Sequence, residues 1–371
     1  MLLLLLSADG QIVNWRAMAH IRRGRFRPRS ITQNPVSRHQ INSPVYHQQI
    51  MLFDALIIGG GPAGLSAALA LGRVCRTALV LDSGVYRNEG VTAMHTVLSR
   101  DGSNPVEFRR TAIEQIKHYP SIHFQQANVV EVRQTEVAPD YTGFTATDSE
   151  SRTWLGRKLI LAMGTEDVLP EDIPGYRENW PSHIYQCLFC DGFEQRHHPI
   201  GVLTFANPSY NHLVLMALNL NPDVTIYSNG PVSSDSSVQQ ALRIALARGA
   251  KIDSRKVAKL INNGPGPEKG ITVEFDDGSS VRLGMLLHRP ATRNRGQHLI
   301  DQLGLKMREG TGEIFVDPVF AETSVKGCFA AGDTADMFKQ VALAMGSGLR
   351  AGGVVSMQLC NGEGVRAIAS L

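Results

Sequence analysis

The chain has 371 residues, enough for two or three domains, and 43% of them are hydrophobic, as in an ordinary soluble α/β protein. No apolar run reaches the roughly 18 residues that a membrane-spanning helix needs, so we expect no membrane partner. The formal charge of +3 conceals a basic N-terminus, because residues 1–50 carry seven arginines and one aspartate, which leaves residues 51–371 acidic. We therefore expect no nucleic-acid partner for that part of the chain.

Residues 1–50 show no clear periodicity and are excluded from the fold prediction. The run MLLLLLSA lacks a basic segment before it and is short for a signal peptide. The Arg-rich, acid-poor composition fits a mitochondrial presequence only weakly, and we favour a disordered extension, or a start read in error upstream of Met51. We expect a cytoplasmic protein, with a mitochondrial location as the alternative.

A βαβ unit opens the rest of the chain. An apolar strand ends at Ile58, the turn GGGPAG follows, a helical pattern runs to Leu71, and a second strand ends in an acid. Such a turn needs one glycine for tightness, one for the approach of backbone N–H groups to a pyrophosphate, and one for helix packing. The acid is placed to accept from ribose hydroxyls. These residues are Gly59, Gly61, Pro62, Ala63, Gly64 and Asp82. A purely structural glycine turn is the alternative.

Two later segments repeat this rhythm. A strand ending at Ala162 leads to Gly164, a plausible second approach to the same cofactor. Residues 170–181 read as a linker, and from Ile200 a new strand–helix–strand pattern begins, with a hairpin around 276–278. Near the C-terminus, Asp333 ends a strand just before a long helix, where a ribityl or ribose hydroxyl would be held.

Five cysteines in so long a chain do not form a disulfide scaffold. We predict that Cys75, Cys328 and Cys360 are small buried hydrophobic residues. Cys187 and Cys190 form one C-x-x-C pair, which is open to three interpretations: a zinc site, a structural disulfide, or a redox-active dithiol.

As a set, GGGPAG, the strand before Gly164, C-x-x-C-D and AAGD resemble the FAD-dependent pyridine nucleotide-disulfide oxidoreductases of the low-molecular-weight thioredoxin reductase type, from Phe53 to Gly362. The resemblance implies FAD, a homodimer, and an α/β fold of two Rossmann-like three-layer domains, with an NADPH-domain-like module inserted into the FAD domain. The predicted segments are the extension 1–50, the FAD domain 51–168 and 289–371, and the C-x-x-C-bearing module 169–288.

The resemblance also assigns roles to single residues. It makes Cys190 the thiol facing the flavin, Cys187 the interchange thiol and Asp191 the acid/base. A C-x-x-C at a helix start also lowers a thiolate pKa. FAD contacts are expected from Gly59, Gly61, Pro62, Ala63, Gly64, Asp82, Arg87, Asn88, His95, Gly164, Asp333, Lys339, Gln340 and Val341. Lys339 departs from the family, whose members usually have arginine there. We predict no metal.

NADPH binding is doubtful. The module's first loop, 204–210, reads TFANPSY without a glycine, and no arginine follows the next strand until Arg243. We expect the side chains of Phe205 and Asn207 to crowd a pyrophosphate. If NADPH cannot supply electrons, a substrate dithiol can, which is similar to the fungal gliotoxin-type dithiol oxidases that close disulfides in epidithiodiketopiperazine-like secondary metabolites with O2 as acceptor.

The predicted function is therefore FAD-dependent thiol–disulfide oxidoreduction acting on a small-molecule dithiol or disulfide. The alternatives are an NADPH-dependent thioredoxin reductase, with a thioredoxin as its partner, and a non-catalytic flavin-binding redox sensor.

Overall fold

The computed structural model describes residues 51–87, 89–266 and 268–371. The predictions for residues 1–50 and for Asn88 lie outside the described residues. The strands are β1 (Leu52–Ile58), β2 (Ala78–Asp82), β3 (Ile122–Gln126), β4 (Val129–Ala138), β5 (Tyr141–Asp148), β6 (Thr153–Leu161), β7 (Thr165–Val168), β8 (Ile184–Tyr185), β9 (Ile200–Leu203), β10 (Val224–Tyr227), β11 (Lys251–Asp253), β12 (Val257–Asn262), β13 (Ile271–Phe275), β14 (Ser280–Leu283), β15 (Met285–Leu287), β16 (Ala291–Asn294) and β17 (Cys328–Ala330). The helices are α1 (Pro62–Arg73), α2 (Pro105–Ile116), α3 (Tyr176–Asn179), α4 (Leu188–Asp191), α5 (Tyr210–Leu220), α6 (Ser236–Ala247), α7 (Gln297–Gln302) and α8 (Val341–Ala369), with a 3-10 turn at Gly332–Thr334.

The first sheet has seven strands in the order β3-β2-β1-β6-β5-β4, with β17 paired to β6. Its β1, β2, β3, β6 and β17 run parallel, whereas β4 and β5 form an antiparallel extension. Apolar side chains pack on both faces of this sheet, as buried parallel strands require. On one face α8 lies so close to α1 that a Cβ on Gly348 would stand 2.0 Å from the carbonyl oxygen of Ala63.

A second, parallel sheet has the order β11-β10-β9-β15-β8 and packs against α5 and α6. A three-stranded antiparallel sheet, β12-β13-β14, covers its other side. The predicted hairpin is present as β13 and β14, but the segment after it does not continue the hairpin. Met285–Leu287 forms β15 instead, which lies between β9 and β8 in the parallel sheet and has all three side chains buried.

These parallel-sheet cores confirm the predicted α/β class. The predicted segment boundaries at residues 168 and 288 stay a prediction. Near both of them lie β7 and β16, which pair with each other as a two-stranded antiparallel ribbon.

The cysteine prediction was wrong in part. Cys328 is buried in β17, but Cys75 and Cys360 are exposed. Cys75 follows the end of α1 with φ +56°, outside any regular element, and the Cys360 sulfur accepts from the Arg76 guanidinium at 2.9 Å. In the described ranges, no helix is long and apolar enough to cross a bilayer.

Candidate active site

A cavity of about 1350 Å³ opens where β1, β2, β6 and β17 end at their carboxyl edge. This is the place at which doubly wound α/β sheets bind their ligands. The volume exceeds the ~300–1,000 Å³ of ordinary small-ligand pockets, so a cofactor and a substrate fit together. The predicted residues Gly59, Gly61, Pro62, Ala63, Asp82, Arg87, His95, Gly164, Cys187, Cys190, Asp191, Asp333, Lys339, Gln340 and Val341 line it.

The turn between β1 and α1 is shaped by its glycines. Gly59 has φ +114°, and a Cβ there would stand 2.2 Å from the Ala162 carbonyl oxygen. A Cβ on Gly64, which lies under the turn rather than on the cavity wall, would stand 1.9 Å from the Gly59 oxygen. Gly61 has nothing within 4 Å on its Cβ side. The open space at Gly61 faces the cavity, which leaves room for a bulky ligand group.

The N-terminus of α1 also leaves its donors free. Among the residues that the structure describes, no group accepts from the backbone N–H groups of Gly61, Ala63 or Gly64. Free N–H groups at the positive end of a helix bind phosphate. The turn therefore fits the pyrophosphate of a dinucleotide.

Asp82 lies directly against this turn, because a Cβ on Gly60 would stand 2.2 Å from its carboxylate oxygen. Its two oxygens accept from the Gly84 N–H at 3.2 Å and from the Tyr86 hydroxyl. These bonds hold the carboxylate at the cavity edge, where it can accept from sugar hydroxyls.

Gly164 and Asp333 meet at the opposite side of the cavity. The Gly164 N–H donates to the Thr334 hydroxyl at 2.7 Å, which ties the end of β6 to the turn after β17. Asp333 is largely buried, and burial raises the pKa of its carboxyl, while Arg87 and Lys339 oppose that shift. A buried carboxylate next to two cations is suited to accept from a ribityl or ribose hydroxyl.

Arg87 connects three segments that are distant in sequence. Its guanidinium makes a two-pronged ion pair with Asp167 of β7, at 3.0 and 2.7 Å, and approaches Asp333 at 3.3 Å. It also donates to the Gln186 side-chain oxygen at 2.7 Å, directly before Cys187. Arg87 thus positions the dithiol segment relative to the first sheet.

The Lys339 ammonium lines the cavity, but three acceptors within the chain occupy it. It donates to Glu313 at 2.8 Å, to the Asp333 carbonyl oxygen at 2.8 Å and to the Asp336 carbonyl oxygen at 2.5 Å. Burial would raise the pKa of Glu313, but Lys339 outweighs it and the net shift is downward, so the pair is ionised. Lys339 therefore braces the turn that carries Asp333 and has no free donor for a flavin.

The C-x-x-C pair forms a disulfide on the cavity wall. Cys187 is the N-cap of α4, and the Cys190 N–H donates back to its carbonyl oxygen at 3.2 Å. Phe189, between the two cysteines, is 59% exposed.

Asp191 directly follows Cys190 and is partly buried. Burial raises the pKa of its carboxyl to about 7, with Glu194 adding to the shift and His95 opposing it. His95 lies close by, with Nδ1 at 3.4 Å from Asp101 and Nε2 at 3.9 Å from Glu194. A carboxyl with a pKa near neutrality exchanges protons readily at physiological pH.

The second loop, between β9 and α5, differs from the first. The N–H groups of Ser209, Tyr210 and Asn211 already donate to the Asn207 side chain, the Asn207 carbonyl and the Pro208 carbonyl, at 3.0, 3.2 and 3.2 Å. Pro208 has no N–H. The donors at the start of α5 are therefore absent, at Pro208, or engaged within the turn, at Ser209, Tyr210 and Asn211.

The reason predicted for this closure was wrong for one residue. Phe205 does not crowd the loop, because its ring is 3% exposed and packs in the core at 6.1 Å from the Tyr210 ring. The hydrogen bonds of Asn207 close the loop instead.

The sequence did not point to four residues that shape the site. Tyr86, Asp167, Gln186 and Glu313 hold Asp82, Arg87 and Lys339. Tyr86 lies four residues after Asp82, but the contacts of Asp167, Gln186 and Glu313 cross 80, 99 and 26 residues, which no local pattern encodes. Within the described ranges, no group of three or more His, Cys, Asp or Glu could hold a metal.

Known proteins of one family match most of the chain. Residues 53–348 match the pyridine nucleotide-disulphide oxidoreductase family, and the chain belongs to it. It is 40% identical to the thioredoxin reductase sirT of Leptosphaeria maculans over 86% of this chain and 98% of that protein. It is 42% identical to the thioredoxin reductase tcpT of Claviceps purpurea over 83% and 94%. An oxidoreductase structure from Agrobacterium tumefaciens superposes with a TM-score of 0.74 and 34% identity, over 84% of this chain and 99% of that one.

The protein is thus an FAD-dependent disulfide oxidoreductase, as predicted. The open turn at α1 and the carboxylates of Asp82 and Asp333 fit the pyrophosphate and the hydroxyl groups of FAD.

Proposed function

We propose that the protein oxidises a small dithiol to a disulfide through Cys187 and Cys190, with dioxygen as the final acceptor. The observation that carries this proposal is the closed turn at the start of α5, where three N–H groups donate within the turn. With these N–H groups engaged, we propose that the turn does not hold the pyrophosphate of a pyridine nucleotide. Electrons then enter the enzyme from a substrate thiol.

The proposed reaction is two successive thiol–disulfide exchanges. A substrate thiolate attacks the sulfur of Cys187, and Cys190 leaves with the bonding electron pair. The second substrate thiolate then attacks the mixed disulfide and releases Cys187. The substrate gains one S–S bond, both cysteines become reduced, and the two thiol protons are released.

Asp191 is the group that we propose to move these protons. With a pKa of about 7, its carboxyl is close to half ionised at neutral pH and can accept a proton from a thiol and pass it on. The His95 imidazole opposes the pKa shift of this carboxyl and lies 3.4 Å from Asp101, which is 67% exposed. We propose that His95 and Asp101 carry the protons to solvent.

When bound, FAD supplies the two-electron acceptor that restores the disulfide, and we propose that dioxygen takes these electrons with two protons to give hydrogen peroxide. The chain's part is to hold the cofactor through the free N–H groups of α1, Asp82 and Asp333. The N-terminus of the 29-residue α8 also faces the cavity and can stabilise negative charge.

The cavity wall near the dithiol favours a small apolar substrate. Phe189, Met337 and Phe338 are 59%, 52% and 64% exposed and line the cavity together with Met216. Such a wall suits the apolar body of an epidithiodiketopiperazine-like metabolite. The fungal origin of both curated relatives supports secondary metabolism as the setting.

A second candidate function is NADPH-dependent reduction of a thioredoxin, which the names of both relatives favour. Lys256 is the residue to test for it, because a Cβ on Gly230, after β10, would stand 3.3 Å from the Lys256 ammonium. We also keep homodimerisation as a prediction, which light scattering of the purified protein tests.

Steady-state turnover distinguishes the candidates. With the FAD-loaded protein in air, a dithiol such as dihydrolipoamide should drive oxygen uptake with one peroxide formed per disulfide. NADPH with a thioredoxin should give no reduction of the thioredoxin disulfide. Thioredoxin reduction by NADPH without peroxide from dithiols would overturn the proposal in favour of the second candidate. Oxygen uptake that is unchanged in Cys190→Ser would exclude the cysteine pair as the centre.

A further inference from the structure

An arginine stands beside the dithiol at the carboxyl edge of the second sheet. In the pairing of β15 with β8, Leu287 lies opposite Tyr185. Arg289 follows Leu287 by two residues, as Cys187 follows Tyr185, and the His288 N–H still donates to the Tyr185 carbonyl oxygen at 2.9 Å. The backbone register therefore brings Arg289 next to Cys187.

The neighbouring strand on the other side of β15 is β9, where Leu287 lies opposite Val202. The closed loop after β9 comes next, and Tyr210 of that loop is near enough to raise the pKa of Arg289. Arg289 thus lies between the dithiol and the loop at which a related enzyme would hold a nucleotide. Both Arg289 and the α5 residues His212 and Met216 line the cavity.

Arg289 differs from the other arginines of this cavity in having no partner. Arg87 pairs with Asp167, Arg295 donates to the Tyr86 carbonyl oxygen at 3.2 Å, and Arg109 lies 3.8 Å above the Tyr86 ring. No hydrogen bond, ion pair or ring contact joins the Arg289 guanidinium to any residue in the described part of the chain. Partial burial lowers the pKa of this guanidinium without making it neutral.

Arg289 is exposed at the cavity wall, where its charged guanidinium has no counter-ion and can pair with an anionic group of a ligand. We propose that Arg289 binds a carboxylate of the substrate while the substrate's dithiol reaches Cys187 and Cys190. This inference rests on the proposed function, since it concerns the same dithiol. It makes Arg289 a specificity-determining residue for acidic dithiols with an apolar body.

Dihydrolipoate and dihydrolipoamide are the matched probes, because they carry the same dithiol and differ by one carboxylate. With the FAD-loaded enzyme, kcat/KM from oxygen uptake should be about tenfold higher for dihydrolipoate, the size of one charged hydrogen bond. Arg289→Met should remove this preference by raising KM for dihydrolipoate alone. Arg289→Lys should keep part of it.

The control is Arg282→Met, the same change of charge on exposed β14, away from the cavity. It should leave both probes unchanged. The FAD content and thermal unfolding of each variant are measured in parallel.

Equal kcat/KM for the two probes in the wild type, or an equal loss for both in Arg289→Met, would overturn the inference and leave the proposed function intact. Loss of FAD in Arg289→Met would make Arg289 a cofactor residue and overturn it too. If neither dithiol is oxidised, or if Arg289→Met changes only NADPH-driven flavin reduction, the inference and the proposed function both fail.

Discussion

The two strand–loop–helix turns of this protein share a topology but differ in what they leave free. After β1, Gly59 adopts φ +114° and the donors of Gly61, Ala63 and Gly64 have no acceptor among the described residues. After β9, Thr204 takes φ +67°, a strained value for a β-branched residue, and the N–H groups of Ser209, Tyr210 and Asn211 donate within the turn.

If the second turn binds no nucleotide, as we propose, a nucleotide-type fold persists here without its ligand site. In both turns apolar strands and a helix pack in the same way, because burial of these residues stabilises the sheet. Only a few backbone donors decide whether a phosphate is bound. The ligand of such a domain is therefore inferred from the backbone donors of its turn and not from its fold.

The strongest test of the comparison is Gly61→Val. The substitution meets nothing within 4 Å inside the protein, and φ −77° allows it, so folding should be unchanged. The added side chain fills the space of the pyrophosphate, and FAD affinity should fall at least about tenfold. Flavin titration measures this, with Asn207→Ala in the other loop as the control. Wild-type FAD affinity in Gly61→Val would contradict the assignment of the first turn.

Arg87→Met breaks the contact between the first sheet and the dithiol segment. It leaves Asp167, 4% exposed in its side chain, without its counter-ion. The free energy of unfolding should fall by about 3–5 kcal/mol, as for other broken buried pairs. Denaturant titration measures it, and Arg110→Met, which removes an exposed pair with Glu107, should change it by less than about 1 kcal/mol. A loss of less than about 1 kcal/mol in Arg87→Met would mean that Arg87 does not stabilise the contact between the first sheet and the dithiol segment.

Asp191→Asn should lower the rate of dithiol oxidation by about 10²-fold, as expected when a general acid/base is lost. The wild-type rate should follow an ionisation near pH 7 that is missing in the variant. Rates measured from pH 5 to pH 9 test this. An unchanged profile would assign the proton to another group.

The same carboxyl predicts a pH dependence of stability. Its pKa is about 7 in the fold and 3.8 in its ordinary state, so between these values the folded protein retains a proton that the unfolded chain has lost. The stability that this group contributes is complete below about pH 4 and is lost as pH rises through 7. Asp191→Asn should lack this loss, which unfolding at pH 4.5 and pH 8 would reveal as a smaller difference than in the wild type.

The smallest expected effect is that of Asn207→Gly. It frees one donor, the Ser209 N–H, but leaves Tyr210 and Asn211 engaged and Pro208 in place. The rate of flavin reduction by NADPH should therefore change by less than about twofold, which corresponds to less free energy than one hydrogen bond contributes. A large gain would mean that this one side chain closes the nucleotide site.

The sequence was informative where chemistry follows a local pattern. The glycine spacing before α1, the C-x-x-C pair and the acid after β17 could be predicted because each depends on neighbours within a few residues. The sequence predicted that Arg87 and Lys339 lie at the cavity but not which groups they bind, because their partners Asp167, Asp333 and Glu313 lie 80, 246 and 26 residues away. The inward turn of Phe205 and the exposure of Cys360 depend on tertiary packing, which no local pattern encodes.

The central claim is that electrons enter through the cysteine pair and not from NADPH. Rapid mixing of the oxidised, FAD-loaded protein under anaerobic conditions tests it, with visible flavin absorbance as the signal. The account predicts that dihydrolipoamide bleaches the flavin in the wild type, that Cys190→Ser does not respond, and that NADPH leaves the absorbance unchanged in both. Fast bleaching by NADPH, or bleaching of Cys190→Ser by the dithiol, would contradict it.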